Sequence, residues 1–135
     1  TGRIVYHKDT SLKIDEVRAK IKTGENYVFG LYDAYIEHAI DSLKSGAKGL
    51  SCIQGNYFPD LIVKLCAAPE EQRDIQEFLS AHMELMHQSY PISAKYVLQK
   101  MGFPINLATR RKVAELTPEI MSKLDTLIEE YHAGF

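Results

Sequence analysis

The chain has 135 residues, 45% of them hydrophobic and 25% charged, which suits one packed domain and excludes disordered or fibrous classes. A net charge of −2 and a pI near 6.2 give no basic footprint for nucleic acid or an anionic membrane. No apolar run approaches a membrane span and no signal-peptide pattern opens the sequence, so a cytoplasmic protein without nucleic-acid or membrane partners is expected.

Ile4 to His7 is β-branched and aromatic and predicts a short strand, with positions 4, 6 and 8 facing one way and 5 and 7 the other. Polar Asp9-Thr10-Ser11 ends it. Ile14, Val17 and Ile21 follow at helical spacing, with Asp15 and Glu16 early and Lys20 and Lys22 late, an order that suits the helix dipole; Gly24 stops this helix. Tyr27 to Leu31 predicts a second strand. Tyr35, Ile36, Ala39, Ile40 and Leu43 then predict a helix with Gly46 as its C-terminal cap. Leu50 to Ile53 predicts a third strand, and Pro59 opens a helix carrying Leu61, Ile62 and Leu65.

After Pro69 the pattern is helical only. One apolar stripe runs through Ile75, Phe78, Leu79, His82, Leu85 and Met86; another, opened by Pro91, runs through Ile92, Tyr96, Val97 and Met101. Thr117-Pro118 starts a last helix with Ile120, Leu124, Leu127, Ile128 and Tyr131 on one face, and residues 102–116 read as a connector. Cys52 and Cys66 fall in strand and helix segments without metal spacing, which suits reduced, buried thiols. His82 and His87 have no zinc-site spacing, so no metal and no cofactor are expected.

Alternating strand and helix signals predict an α/β chain with a parallel sheet. Three parallel strands leave two unpaired edges and need neighbours on both sides. The order is closer to a fragment of a (β/α)8 barrel than to a finished domain. Together with a start at Thr1, this leads us to expect an N-terminal part elsewhere, as a partner half of the same barrel.

Lys8 is the main chemical candidate. It stands at the end of the first strand, within Arg3-Ile-Val-Tyr-His-Lys-Asp-Thr-Ser11, and lysine forms Schiff bases with carbonyl substrates when it is neutral. Read alone, such a residue is more often a surface lysine flanking a strand.

The segment Ile4-Val-Tyr-His-Lys-Asp-Thr10, the run Tyr27 to Asp33, the turn and strand from Gly46 to Asn56, Asn56-Tyr-Phe-Pro-Asp60 and Pro91-Ile-Ser-Ala-Lys95 follow one another in a familiar order. In order and spacing they resemble the C-terminal half of the dihydrodipicolinate synthase/N-acetylneuraminate lyase family. The resemblance implies barrel strands six to eight with their helices over residues 1–68, and a C-terminal helical extension of the same domain over 69–135. It implies a class I aldolase or lyase in which Lys8 forms a Schiff base with pyruvate or a 2-keto acid and a C–C bond to an aldehyde is made or broken. It also implies a homo-oligomer, dimer or tetramer.

For substrate binding the resemblance points to Thr10, Leu31, Asp33, Ile53 and Asn56. Thr10 either lies beside the substrate or caps the following helix. Leu31 stands where the sialate-lyase branch has a glycine, and Ile53 where it has a serine; both are departures. Asp33 matches an aspartate that faces substrate hydroxyls, and Asn56 either orients the loop after the third strand or satisfies the helix start. Tyr6 stands where the family has a small residue, so its ring should narrow the interior beside Lys8. The substrate-carboxylate loop and the proton-shuttling tyrosine of the family have no match here and are expected in the other half. Two alternatives stand beside this reading: a non-enzymatic helical interaction module, and a barrel homologue without activity.

Overall fold

The computed structural model describes residues 3–135. It divides into two compact units, one running to Ser80 and the other Ala81–Phe135.

The first unit is α/β. Strands β1 (Tyr6–Asp9), β2 (Gly30–Asp33) and β3 (Gly49–Leu50) form a parallel sheet in that order. Tyr6 pairs with Gly30, Lys8 with Tyr32, and Tyr32 in turn with Gly49. The strands are displaced from the runs expected at Ile4–His7, Tyr27–Leu31 and Leu50–Ile53. β1 extends through Lys8 and Asp9 because both charges are accommodated: Lys8 lines an open hollow and the Asp9 carboxylate has partners. β3 is short because the chain turns after Cys52 into a 3-10 turn, Ile53–Asn56.

Helix α1 (Ile14–Gly24) follows β1 as expected, with Asp15 and Glu16 in its first turn and Lys22 in its last. It lays Val17, wholly buried, against Leu31 and Ala47, with Ile14, Ile21 and Phe29 around them. A 3-10 turn (Ile36–His38) leads into α2 (Ala39–Lys44). Here the C-terminal cap is complete. Gly46 adopts φ 106°, its amide donates to Leu43 O at 3.0 Å, and the Ala47 amide donates to Ser42 O at 3.1 Å. This double bond pattern needs a left-handed residue, which explains the glycine.

Helix α3 (Pro59–Ala67) opens with proline in its first turn and buries Leu61 and Leu65. Tyr57 and Phe58 just before it are wholly buried, and the Phe58 ring meets Phe78 of α4 (Arg73–Ala81) at 5.9 Å. The Gln76 side chain accepts from the Ile40 amide (2.7 Å) and donates to Glu37 O (3.0 Å), tying α4 to the start of α2.

The apolar stripe from Ile75 to Met86 is one run in sequence but two helices in space. His82 leaves helical geometry (φ −100°, ψ 6°), and α5 (Met83–His87) begins after it. The stripe serves both units: Ile75 and Leu79 are buried in the first, Met86 in the second.

The second unit is helical. α6 (Ile92–Lys100) ends at Gly102 (φ 92°) with the same paired bonds, Gly102 N to Gln99 O and Phe103 N to Leu98 O, both 3.0 Å. The final helix, α7 (Pro118–Gly134), starts where Thr117-Pro118 predicts; Thr117 accepts from the Ile120 amide at 3.3 Å. Tyr96 Oη donates to Asp125 Oδ1 (2.9 Å), and Lys100 Nζ lies 3.1 Å from the same oxygen, so one carboxylate links α6 to α7. Residues 102–116 form the connector, held by Ser89 Oγ to Glu115 O at 2.7 Å and by the Lys95 ammonium to Ala108 O.

No described helix is long and apolar enough to cross a membrane. Cys52 is buried and Cys66 half-buried, both as free thiols, and burial raises the pKa of each.

Candidate functional site

Strand alternation decides which side chains can meet. Lys8 and Tyr6 share one face of β1, and across the register Tyr32 and Gly30 of β2 and Gly49 of β3 lie on the same face. This face lines a hollow of about 290 Å³ bounded by Tyr6, Lys8, Tyr32, Leu50 and Ser51. The other face carries Asp9 and Leu31 toward α1.

Asp9 is the anchor behind Lys8. Its side chain is wholly buried, Oδ2 lies 2.5 Å from Lys20 Nζ, and Oδ1 accepts from the Ser11 amide (2.8 Å) and hydroxyl (2.6 Å). Burial alone pushes the carboxyl up. The bonds from Lys20 and Ser11 outweigh it and hold the pKa at about 2, against an ordinary 3.8. Lys20 is correspondingly raised by the Asp9 carboxylate. Because neighbours on a strand point to opposite faces, fixing Asp9 on the helix side fixes Lys8 on the hollow side.

Of the residues singled out from sequence, Lys8 and Tyr6 line this hollow. Thr10 is exposed immediately after β1 and does not cap α1, whose N-terminal cap position is Lys13. Leu31 is 1% exposed and packed against Val17 and Ala47, so its side chain is turned away from Lys8 into the sheet–helix core. Asp33 is also buried: Oδ1 accepts from the Tyr35 amide at 3.1 Å, and Oδ2 stands 2.8 Å from His38 Nε2. That contact is at ion-pair distance without an aligned hydrogen bond. It braces the loop after β2 against the 3-10 turn. Ile53 is half-buried and Asn56 exposed, both in the turn after β3.

Three residues of the hollow are not among the site residues read from sequence: Tyr32, Leu50 and Ser51. The signal for Tyr32 and Ser51 is the period of two, counted from Lys8 across the strand register. In a parallel sheet both faces are covered, so apolarity does not say which parity points inward. Leu31 and Asp33 have the parity opposite to Tyr32, and the register settles which of them meets Lys8.

Among the described residues, no group of three His, Cys, Asp or Glu side chains is placed to hold a metal ion. A lysine at the C-terminal end of a parallel strand, flanked by aromatic rings and a hydroxyl, suits covalent carbonyl chemistry.

The family model for the dihydrodipicolinate synthetase family matches residues 2–131. None of the curated proteins matches. Among solved structures, the dihydrodipicolinate synthase from Thermotoga maritima superposes with a TM-score of 0.81 at 22% identity, covering 95% of this chain and 46% of its own. That from Aquifex aeolicus gives 0.78 at 23%, covering 96% and 45%. An E. coli K12 prophage protein belonging to the dihydrodipicolinic acid synthase family, solved in complex with pyruvate, gives 0.80 at 20%, covering 96% and 46%. The chain therefore spans less than half the length of these structures. With the family model running over nearly all of it, the chain belongs to the dihydrodipicolinate synthetase family.

Proposed function

We propose that this chain is the catalytic-lysine half of a class I aldolase or synthase. β1, β2 and β3 stand as strands six, seven and eight of a (β/α)8 barrel, completed by an N-terminal half, and Lys8 forms the Schiff base with pyruvate or another 2-keto acid. The observation that carries this reading is the position of Lys8 in a chain of this family: near the C-terminal end of a parallel strand, on the face that lines the hollow. The pyruvate complex of the E. coli relative supports the choice of ligand class.

In this mechanism the neutral Lys8 amine attacks the keto carbon. Loss of water from the carbinolamine leaves a protonated imine. Its nitrogen takes up the electron pair released when an α-proton departs or a C–C bond breaks. The enamine adds to an aldehyde, and water then releases Lys8. Asp9 is a positioning residue, holding the strand end through Lys20 and Ser11. The carboxylate clamp and the proton-transferring group are assigned to the other half. Assembly into a dimer or tetramer and a cytoplasmic location complete the proposal.

The test is borohydride reduction of the complete protein in the presence of pyruvate. One pyruvate-derived mass should appear on the peptide containing Lys8, and Lys8→Arg should abolish both adduct and turnover, because guanidinium stays protonated. No adduct, or an adduct on Lys48 or Lys95 instead, would favour the non-enzymatic or inactive alternatives.

A further inference from the structure

The hollow beside Lys8 has a floor of two tyrosines. Tyr6 precedes Lys8 by one alternation on β1, and Tyr32 is the register partner of Lys8 on β2. The two rings meet edge to face, 6.2 Å between centroids and 83° between planes, a favoured aromatic geometry. The Tyr32 ring does not stand away from the sheet. It lies down across it: a Cβ built on Gly49 would meet Tyr32 Cδ1 and Cε1 at 3.0 Å, and one built on Gly30 would meet Cε2 at 3.5 Å. Gly30 is the partner of Tyr6, one row nearer the N-terminal ends of the strands. The ring is therefore folded into the row beneath Lys8, where Tyr6 closes the other side. Glycine at 49 leaves the space for it.

Both rings are large and open on this face, Tyr6 at 69% and Tyr32 at 37% exposure. Substrates reach parallel barrels from the C-terminal ends of the strands, so these rings lie deeper than the lysine rather than across its entrance.

We infer that Tyr6 and Tyr32 are the specificity-determining floor of the keto-acid site, holding the carbon next to the carbonyl to about the size of a methyl group. This rests on Lys8 being the Schiff-base lysine. The two rings offer no charge to a carboxylate, and in the same row the stem of Lys48 packs beside Gly30, its Cγ 3.2 Å from where a Cβ would stand. A keto acid bound to Lys8 therefore directs its methyl side downward and its carboxylate toward the open, polar end, where the Ser51 hydroxyl lines the hollow. A keto acid one carbon longer meets the rings.

The experiment compares borohydride trapping of pyruvate and of 2-oxobutyrate by the complete protein, read as the rate of Lys8 adduct formation by mass spectrometry. The wild type should prefer pyruvate by at least about tenfold, the discrimination a single methylene commonly gives. Tyr6→Ala and Tyr32→Ala should each remove most of that preference while pyruvate still labels Lys8. Tyr32→Phe should keep it, since the ring and not the hydroxyl forms the floor. Gly49→Ala should sharpen it, because the new Cβ displaces the Tyr32 ring toward the lysine. If Tyr32→Ala does not melt cooperatively, Tyr32→Leu carries the same expectation. Folded alanine or leucine variants that label Lys8 yet keep the wild-type ratio would overturn the floor alone. A wild type with no adduct on Lys8 would overturn the proposed function, and this inference with it.

Discussion

Replacing Asp9 by Asn removes the charge that holds the end of β1. The native carboxyl titrates at about 2, against an ordinary 3.8, a difference of a little under two pH units. At about 1.36 kcal/mol per unit this corresponds to roughly 2 kcal/mol. Its native pKa is depressed, so the stabilisation is fully present above the unfolded value near 3.8 and is lost as pH falls toward about 2. Asn keeps an acceptor for the Ser11 amide, and Lys20, 39% exposed, can turn into water, so the variant is not left with a buried lone cation. Urea unfolding of the complete protein, wild type and Asp9→Asn, should show a gap of about 2 kcal/mol at pH 7. The gap should be unchanged at pH 5 and shrinking by pH 3. Imine trapping at Lys8 should slow in the variant, because the strand end that orients the lysine is looser. A gap that stays constant from pH 7 to pH 3, or widens on acidification, would refute the assignment of Asp9 as the charged anchor.

Leu31→Ala should cost about 2–5 kcal/mol by opening a cavity against Val17, while leaving the pyruvate to 2-oxobutyrate ratio unchanged; a shifted ratio would return Leu31 to the substrate site. Thr117→Ala should cost about 1 kcal/mol in thermal unfolding through the lost cap at Ile120, and Thr117→Ser should restore it. Expressed by itself, this chain should unfold without a sharp transition, because Ile4 and Val5 just before β1 and Tyr6 at its start are exposed; strongly protected amides in β1 and β3 would contradict this. Sedimentation of the complete protein should give a dimer or tetramer at micromolar concentration, and a strict monomer would refute the proposed assembly.

The helices were largely legible because their signals are local. Gly46, Pro59 and Thr117-Pro118 mark ends through φ preference and capping, and each works wherever the helix packs. That Tyr6 and Lys8 share one face also follows from the chain alone, since alternation is a property of a single strand. What lies opposite them does not. Leu31 and Asp33 belong in a substrate site by motif, yet the register pairs Lys8 with Tyr32 and turns Leu31 to Val17. A one-residue change of parity exchanges the two faces of a strand, and in a parallel sheet both faces are covered, so hydrophobicity is silent on the choice. The break at His82 is similar: one apolar stripe is compatible with one helix or two, and only packing of Phe78 on Phe58 and burial of Met86 in the second unit divide it. Sequence thus determined where the main helices start and stop and that Lys8 lies near a strand end. Tertiary structure decided its neighbours, because register and packing are relations between segments that no single segment encodes.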